Sequence, residues 1–138
     1  MKQIAVFKIE TEFYALDIMS VNNIIEYEIP KWIPHPKSFV KGVINLRGKV
    51  VPILDLREIL GYEKYKDDDK RKIVIIENEE ELIGLIIDEV LSISYIEDSQ
   101  IEELDRIGDA KFADVLESVA KFDDRLIAIL SIPKILEK

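Results

Sequence analysis

Cysteine is absent from this 138-residue chain, and histidine occurs once, as His35. Without cysteine there is no disulfide, no thiolate metal centre and no cysteine nucleophile. A lone histidine cannot build a two- or three-histidine metal site within one chain, and it leaves a single candidate for imidazole chemistry. Long apolar runs are missing as well. The longest, Leu82 to Ile87, is interrupted by Gly84, whereas a membrane-spanning helix needs about 20 residues. The N-terminus, Met1-Lys2-Gln3-Ile4, lacks the apolar core of a secretion signal and enters an alternating pattern at once. Basic residues are outnumbered, 19 against 28 acidic, for a net charge of −9. That balance argues against nucleic acid as the main partner, because a phosphate backbone calls for a basic stripe. Together these absences predict a cytoplasmic protein of a reducing compartment.

Catalytic motifs are equally scarce. Gly42 and Gly48 have neither the Gly-Lys-Ser/Thr ending of a phosphate loop nor the spacing of a dinucleotide fingerprint. No Gly-x-Ser-x-Gly turn is present, and His35 lies between Pro34 and Pro36, which favour an extended loop. The expectation is a protein without enzymatic activity, metal or cofactor. The acidic run Asp67-Asp68-Asp69 lacks the alternating ligands, glycine and distal glutamate of a calcium loop. It reads as part of a solvated linker from Glu63 to Lys72.

What is present is 48% apolar and 34% charged, a globular composition for one domain or two small fused modules. Four pairs of short apolar segments flank turn-like residues and predict hairpins. They are Ile4–Ile9 with Phe13–Ile18, Gly42–Leu46 with Lys49–Leu54, Ile73–Ile76 with Leu82–Ile87, and Val115–Phe122 with Leu126–Leu130. Pro52 inside its segment predicts an edge strand or a bulge. Short helices are expected after Asp55, with Gly61 as a stop, and after Ser131, with Pro133 in the first turn. A helical turn is expected around Met19 to Asn22, and a partly ordered connection over Asp98 to Arg106.

Internal similarity organises the chain. Gly48–Leu60 matches Asp124–Leu136 without a gap, each running turn, basic residue, strand, cap and short helix. Phe13-Tyr14-Ala15-Leu16 likewise resembles Leu82-Ile83-Gly84-Leu85, with a small residue third. Two related β-modules follow, one mainly from the first 60 or so residues and one from the remainder. Modules of that size are marginal alone, so they are expected to share an apolar interface. Two features point to recognition of other proteins. Trp32, in the stiff loop Pro30–Pro36, reads either as an aromatic anchor or as a lid on a barrel. Arg47, at a hairpin tip, reads either as a carboxylate-pairing fork or as a solvated tip residue.

The run Phe39-Val40-Lys41-Gly42-Val43-Ile44-Asn45-Leu46-Arg47-Gly48-Lys49-Val50-Val51-Pro52-Ile53-Leu54-Asp55-Leu56 closely resembles the signature of the CheW-like family of bacterial chemotaxis coupling proteins. Phe13–Ile18 with Val21, Leu82–Val90 and Asp124–Ile127 extend the likeness in order over nearly the whole chain. It implies a mainly β, single CheW-like domain over 1–138, made of two five-stranded SH3-like β-barrels around a shared core. Their approximate ranges are 13–62 and 71–130, with terminal segments completing them. It implies a scaffold rather than an enzyme, coupling the cytoplasmic helical hairpin of methyl-accepting chemoreceptors to the histidine kinase CheA in arrays under the inner membrane. A receptor hairpin in an apolar groove between the barrels is the implied mode. Carried over by position, Val21, Gly42 and Arg47 face the receptor, with Ile18 and Ile24 as apolar neighbours. The CheW-like domain of the kinase is assigned to Ile33, Pro34, Lys49, Val50 and Val51. Asn23 stands where many relatives carry glutamate, which removes an acidic contact or moves it to Glu26. Gly42 and Gly48 retain a second explanation as backbone requirements. The competing expectation is a small β-barrel module that binds a small molecule or nucleic acid.

Overall fold

A computed structural model describes residues 2–63, 70–102, 113–122 and 124–138. All four expected hairpins are formed: β1 (Lys2–Ile9) with β2 (Glu12–Asp17), β4 (Val40–Leu46) with β5 (Lys49–Asp55), β6 (Lys72–Asn78) with β7 (Glu81–Ile87), and β10 (Leu116–Phe122) with β11 (Arg125–Leu130). The remaining strands are β3 (Val21–Glu26), β8 (Glu89–Ile96) and the two-residue β9 (Ile101–Glu102). Helices α1 (Leu56–Ile59) and α2 (Ile132–Leu136) begin where their caps predict, at Asp55 and Ser131. None of the helices among the described residues is long and apolar enough to cross a membrane.

The strands form two sheets, ordered β8-β1-β2-β11-β10-β9 and β3-β6-β7-β5-β4. Their first five strands correspond one for one. β11 lies parallel to β2 as β5 lies parallel to β7, and Ile129 faces Ala15 as Ile53 faces Gly84. A bulge falls between Leu116 and Ser118 in β10 and between Val40 and Gly42 in β4. The Ser131 N–H donates to the Val115 carbonyl, and the Asp55 N–H to the Phe39 carbonyl, both at 2.8 Å. Even the short β9 on Val119 has a counterpart, a single bridge from Lys31 to Val43. The repeat legible in Gly48–Leu60 and Asp124–Leu136 is therefore a repeat of pairing register. The mainly β expectation holds, with six strands rather than five in the first sheet among the described residues.

Two compact units contain these sheets, one of residues 1–19 with 90–138 and one of residues 20–89. This differs from a division near the Glu63–Lys72 linker. β6 and β7 follow that segment yet pair with β3 and β5, which precede it. The physical cause is the parallel β5–β7 and β11–β2 ladders, because parallel neighbours cannot be joined by a tight hairpin turn. The first unit is centred on Ile4, Val6, Ala15, Ile96, Ala120, Ile127 and Ile129. The second is centred on Ile44, Val51, Ile53, Ile73, Ile75 and Ile86. Burying one such aliphatic side chain contributes about 1.5–3 kcal/mol.

Three local expectations change. Pro52 is on β5, which is flanked on both sides rather than at an edge. Its partner Val43 directs both backbone groups to Lys31, at 2.8 and 2.9 Å. Val43–Pro52 is therefore a pair without ladder hydrogen bonds, so the missing proline N–H costs nothing on that side. The turn after Asp17 is a single 3-10 turn, Ile18–Ser20, and β3 begins at once with Val21. The connection after β8 is a 3-10 turn, Asp98–Gln100, closed by a capping box from Glu97, and then β9. Glu103–Arg106 and the acidic run Asp67–Asp69 lie outside the described residues.

Candidate protein-docking surface

The β4–β5 hairpin begins with a close approach of backbone to backbone. Gly42 is buried, with φ +139°, and a Cβ there would stand 2.1 Å from the Lys31 carbonyl oxygen. Only glycine fits, because the bridge from Lys31 to Val43 brings the preceding segment across this strand. The hairpin ends in a two-residue turn in which both central residues have positive φ, Arg47 at 53° and Gly48 at 82°. Such a turn matches the twist of the flanking strands, but the left-handed conformation is costly for arginine. The Gly48 N–H donates to the Asn45 side-chain oxygen at 3.0 Å. Arg47 itself is exposed at the tip.

Cations and apolar groups share this part of the second unit. Lys31, Lys37, Lys41, Arg47 and Lys49 fall in a stretch, Ile29 to Leu54, that contains no acidic residue. Val50 is 69% exposed on β5 and Trp32 is 72% exposed, so the tryptophan is not a lid closed over a core. Ile29 is also exposed. Exposed apolar side chains in an acid-free, cation-bearing stretch have the chemistry that suits an acidic protein partner with apolar groups.

The expected receptor-facing residues are distributed unevenly. Ile18 is half-buried in the 3-10 turn, Val21 half-buried at the start of β3, and Ile24 marginally exposed in the same strand. Met19 between them is almost fully exposed. β3 and β4 are the two edge strands of their sheet, so no ladder joins Val21 and Ile24 to Gly42 and Arg47. Among the kinase-facing expectations, Pro34, Lys49 and Val50 are exposed and Ile33 is half-buried. Val51 is a correction: it is 0% exposed and lies in the core with Ile44 and Ile53. Strand alternation explains this, since Val50 and Pro52 point one way and Val51 the other.

Sequence reasoning missed a buried ionic cluster beside this hairpin. Arg71 holds both oxygens of Asp55, at 2.8 and 3.1 Å, in a forked pair. Arg57 Nη1 donates to Asp88 at 2.6 Å, and Arg71 Nε stands 3.6 Å from the other oxygen of Asp88. All four residues are buried. The Arg57 Nε also donates to the Glu63 carbonyl at 2.9 Å, and its guanidinium lies over the Tyr62 ring. Asp55 was legible as a cap, and it does accept the Arg57 N–H at 3.0 Å. The other three residues gave no local signal, because Arg57 and Asp88 are 31 positions apart.

A cavity of about 500 Å³ opens over this cluster, lined by Tyr27, Lys41, Asp55, Arg57, Glu58 and Tyr62 among others. Lys41 is committed to Glu58 at 2.5 Å. Partial burial pushes the Glu58 carboxyl up, but hydrogen bonds from Lys41 and Ser38 and the charge of Lys41 outweigh it. Against a further upward push from Asp55, the carboxyl stays below its ordinary range. Lys41, Arg57 and Arg71 each hold a carboxylate, so none is presented to an anionic ligand in place of it.

The model of the CheW-like domain matches residues 3–138. The chain belongs to the CheW-like family. Among its relatives, the chemotaxis protein CheW of Bacillus subtilis is 32% identical over 138 residues, covering 99% of this chain and 88% of that protein. The chemotaxis protein CheW of Thermotoga maritima is 34% identical over 133 residues, covering 96% of this chain and 85% of the relative. A crystal structure of the scaffolding protein TtCheW from Thermoanaerobacter tengcongensis superposes with a TM-score of 0.90 at 32% identity. It covers 99% of this chain and 93% of its own. The run Phe39–Leu56, which resembles the signature of this family, forms the β4–β5 hairpin with its glycine crossing and its arginine turn.

Proposed function

We propose that this chain is a non-catalytic chemotaxis adaptor, holding the cytoplasmic tips of chemoreceptors and the histidine kinase CheA in one array. The observation that carries this reading is the exposed Arg47 turn within a CheW-like domain that accounts for residues 3–138. Arg47, Val21, Ile18 and Ile24 face the receptor hairpin, and Gly42 serves that face by letting the Lys31 segment cross β4. Ile33, Pro34, Lys49 and Val50 face the CheW-like domain of the kinase, with Val51 supporting them from the core. Similarity to chemotaxis proteins CheW and to the scaffolding protein TtCheW supports the adaptor class. The protein works in the cytoplasm at the receptor array, as one domain of two β-units.

Binding of a small molecule is the weaker reading, because the cations lining the cavity are held by carboxylates of the same unit. Nucleic acid suits a net charge of −9 poorly. The test is co-sedimentation with membranes carrying chemoreceptors from the same genome, with and without CheA. The expected result is recovery with receptor alone and increased kinase recovery when the adaptor is added. Failure to bind either partner would overturn the proposal.

A further inference from the structure

The Arg47–Gly48 turn is not the only one of its kind. The β6–β7 hairpin closes through Glu79 and Glu80, whose φ values of 51° and 71° are close to the 53° and 82° of Arg47 and Gly48. Two glutamates therefore reach this backbone, with Glu77 at the position that Asn45 holds in the other hairpin. Hairpin closure in this protein does not require an Asn-x-x-Gly arrangement. The Asn45–Gly48 hydrogen bond consequently has little to do with whether β4 and β5 pair.

Its effect is local. Gly48 N–H belongs to the peptide plane that follows Arg47, so an acceptor 3.0 Å away fixes the ψ of Arg47. The two-residue hairpin keeps Arg47 in the left-handed region, as it keeps Glu79, and the hydrogen bond narrows the ψ range open to Arg47 within that region. Asn45 lies on the outer face of β4 and is exposed, as are Arg47 and Gly48. No buried contact depends on the bond, and what it controls is the direction in which the guanidinium projects.

We infer that Asn45 is a positioning residue for partner binding, acting through the backbone of Arg47 rather than by touching the partner. The inference rests on the reading of Arg47 as a receptor contact. A side chain with five donors in a rigid fork is sensitive to a re-aimed backbone, because both hydrogen bonds to a carboxylate must be made together. Asn45 preorganises that fork and so removes an ordering cost from binding.

The test compares Asn45→Ala, Asn45→Asp and Arg47→Ala in the full chain. A soluble chemoreceptor signalling-tip fragment is titrated against each, with CheA binding and thermal unfolding measured in parallel. Amide and Hα NMR shifts of Arg47 report its backbone conformation. Asn45→Ala is expected to weaken receptor binding about five-fold, the factor that one exposed hydrogen bond supports. CheA binding and the unfolding midpoint should stay close to the parent, and the Arg47 shifts should move from their parent values within the left-handed range, as the guanidinium loses its fixed direction. Asn45→Asp keeps the acceptor and should restore both shifts and affinity. If Arg47→Ala weakens binding but Asn45→Ala does not, the positioning role is wrong while the receptor reading stands. If Arg47→Ala binds as well as the parent, the receptor reading fails and the positioning role with it. A large loss of thermal stability in Asn45→Ala would make Asn45 a structural residue and also overturn the inference.

Discussion

The two units repeat one strand order and one register, yet they close the same junction with different chemistry. Where β11 runs into α2, the cap is Ser131, which accepts the Lys134 N–H at 3.3 Å in an exposed setting. Where β5 runs into α1, the cap is Asp55, buried and held in a fork by Arg71. The helix that follows carries Arg57 in one unit and Pro133 in the other. Charges are exchanged at two further matched positions. Lys41 pairs with Glu58 in the second unit, while Glu117 takes Lys2 and Lys134 donates to the Leu116 carbonyl in the first. The shared register shows that apolar pattern and turn chemistry set the fold. The buried Asp55 cap and the Arg57 that follows it place an ion cluster beside the β4–β5 hairpin in the second unit.

The largest expected effect comes from breaking that asymmetry. Asp55→Ala leaves Arg71 buried against one carboxylate fewer, at a cost of about 3–5 kcal/mol. Ser131→Ala at the matched position removes one exposed cap and costs about 1 kcal/mol. Denaturant unfolding of both variants checks the ratio. Similar losses would mean that the buried cluster is no more demanding than an ordinary cap.

Gly42 and Ser118 occupy the same side of the matched bulges, and they sharpen the comparison on a smaller scale. Gly42→Ala places a methyl against the Lys31 carbonyl in a left-handed backbone, and about 2–3 kcal/mol of destabilisation is expected. Ser118→Ala has no such contact to make and should stay within about 0.5 kcal/mol of the parent. A Gly42→Ala variant as stable as the Ser118→Ala variant would remove the close approach as the reason for the glycine.

The smallest effect separates the exchanged charges. Glu58 has a carboxyl held below its ordinary range, so it contributes stability at neutral pH that is lost as pH falls through its folded-state value. Glu58→Gln should lower the thermal midpoint slightly at pH 7, and the difference from the parent should vanish in acid. A deficit of the same size at both ends of the pH range would exclude the ionised pair as its source.

Sequence reading succeeded where the signal is local. The turn Arg47–Gly48, the acidic stretch Glu77–Glu81 that contains the Glu79–Glu80 turn, the caps Asp55 and Ser131, and the matched runs 48–60 and 124–136 all lie within a few residues of what they determine. It failed where distant partners decide the outcome. β8 carries Leu91, Ile93 and Tyr95 on an exposed face and so lacks a polar outer pattern. Val51 sits in a continuous apolar run whose inward member is set only by pairing with Ile44. Arg57, Arg71 and Asp88 look like solvated charges until β5, β6 and β7 bring them together. On the candidate site, Arg47 and its asparagine were in view from the motif. The cavity and the ion cluster beneath it were not.

In the proposed function the Arg47 turn joins the protein to a receptor without supporting the fold. Receptor-dependent stimulation of CheA phosphorylation by the Arg47→Glu variant, with its thermal unfolding recorded on the same preparation, tests it most directly. A nearly unchanged unfolding transition and a clear loss of stimulation are expected. A protein that unfolds would make Arg47 structural, and full stimulation by a folded variant would contradict the assignment of this turn to the receptor.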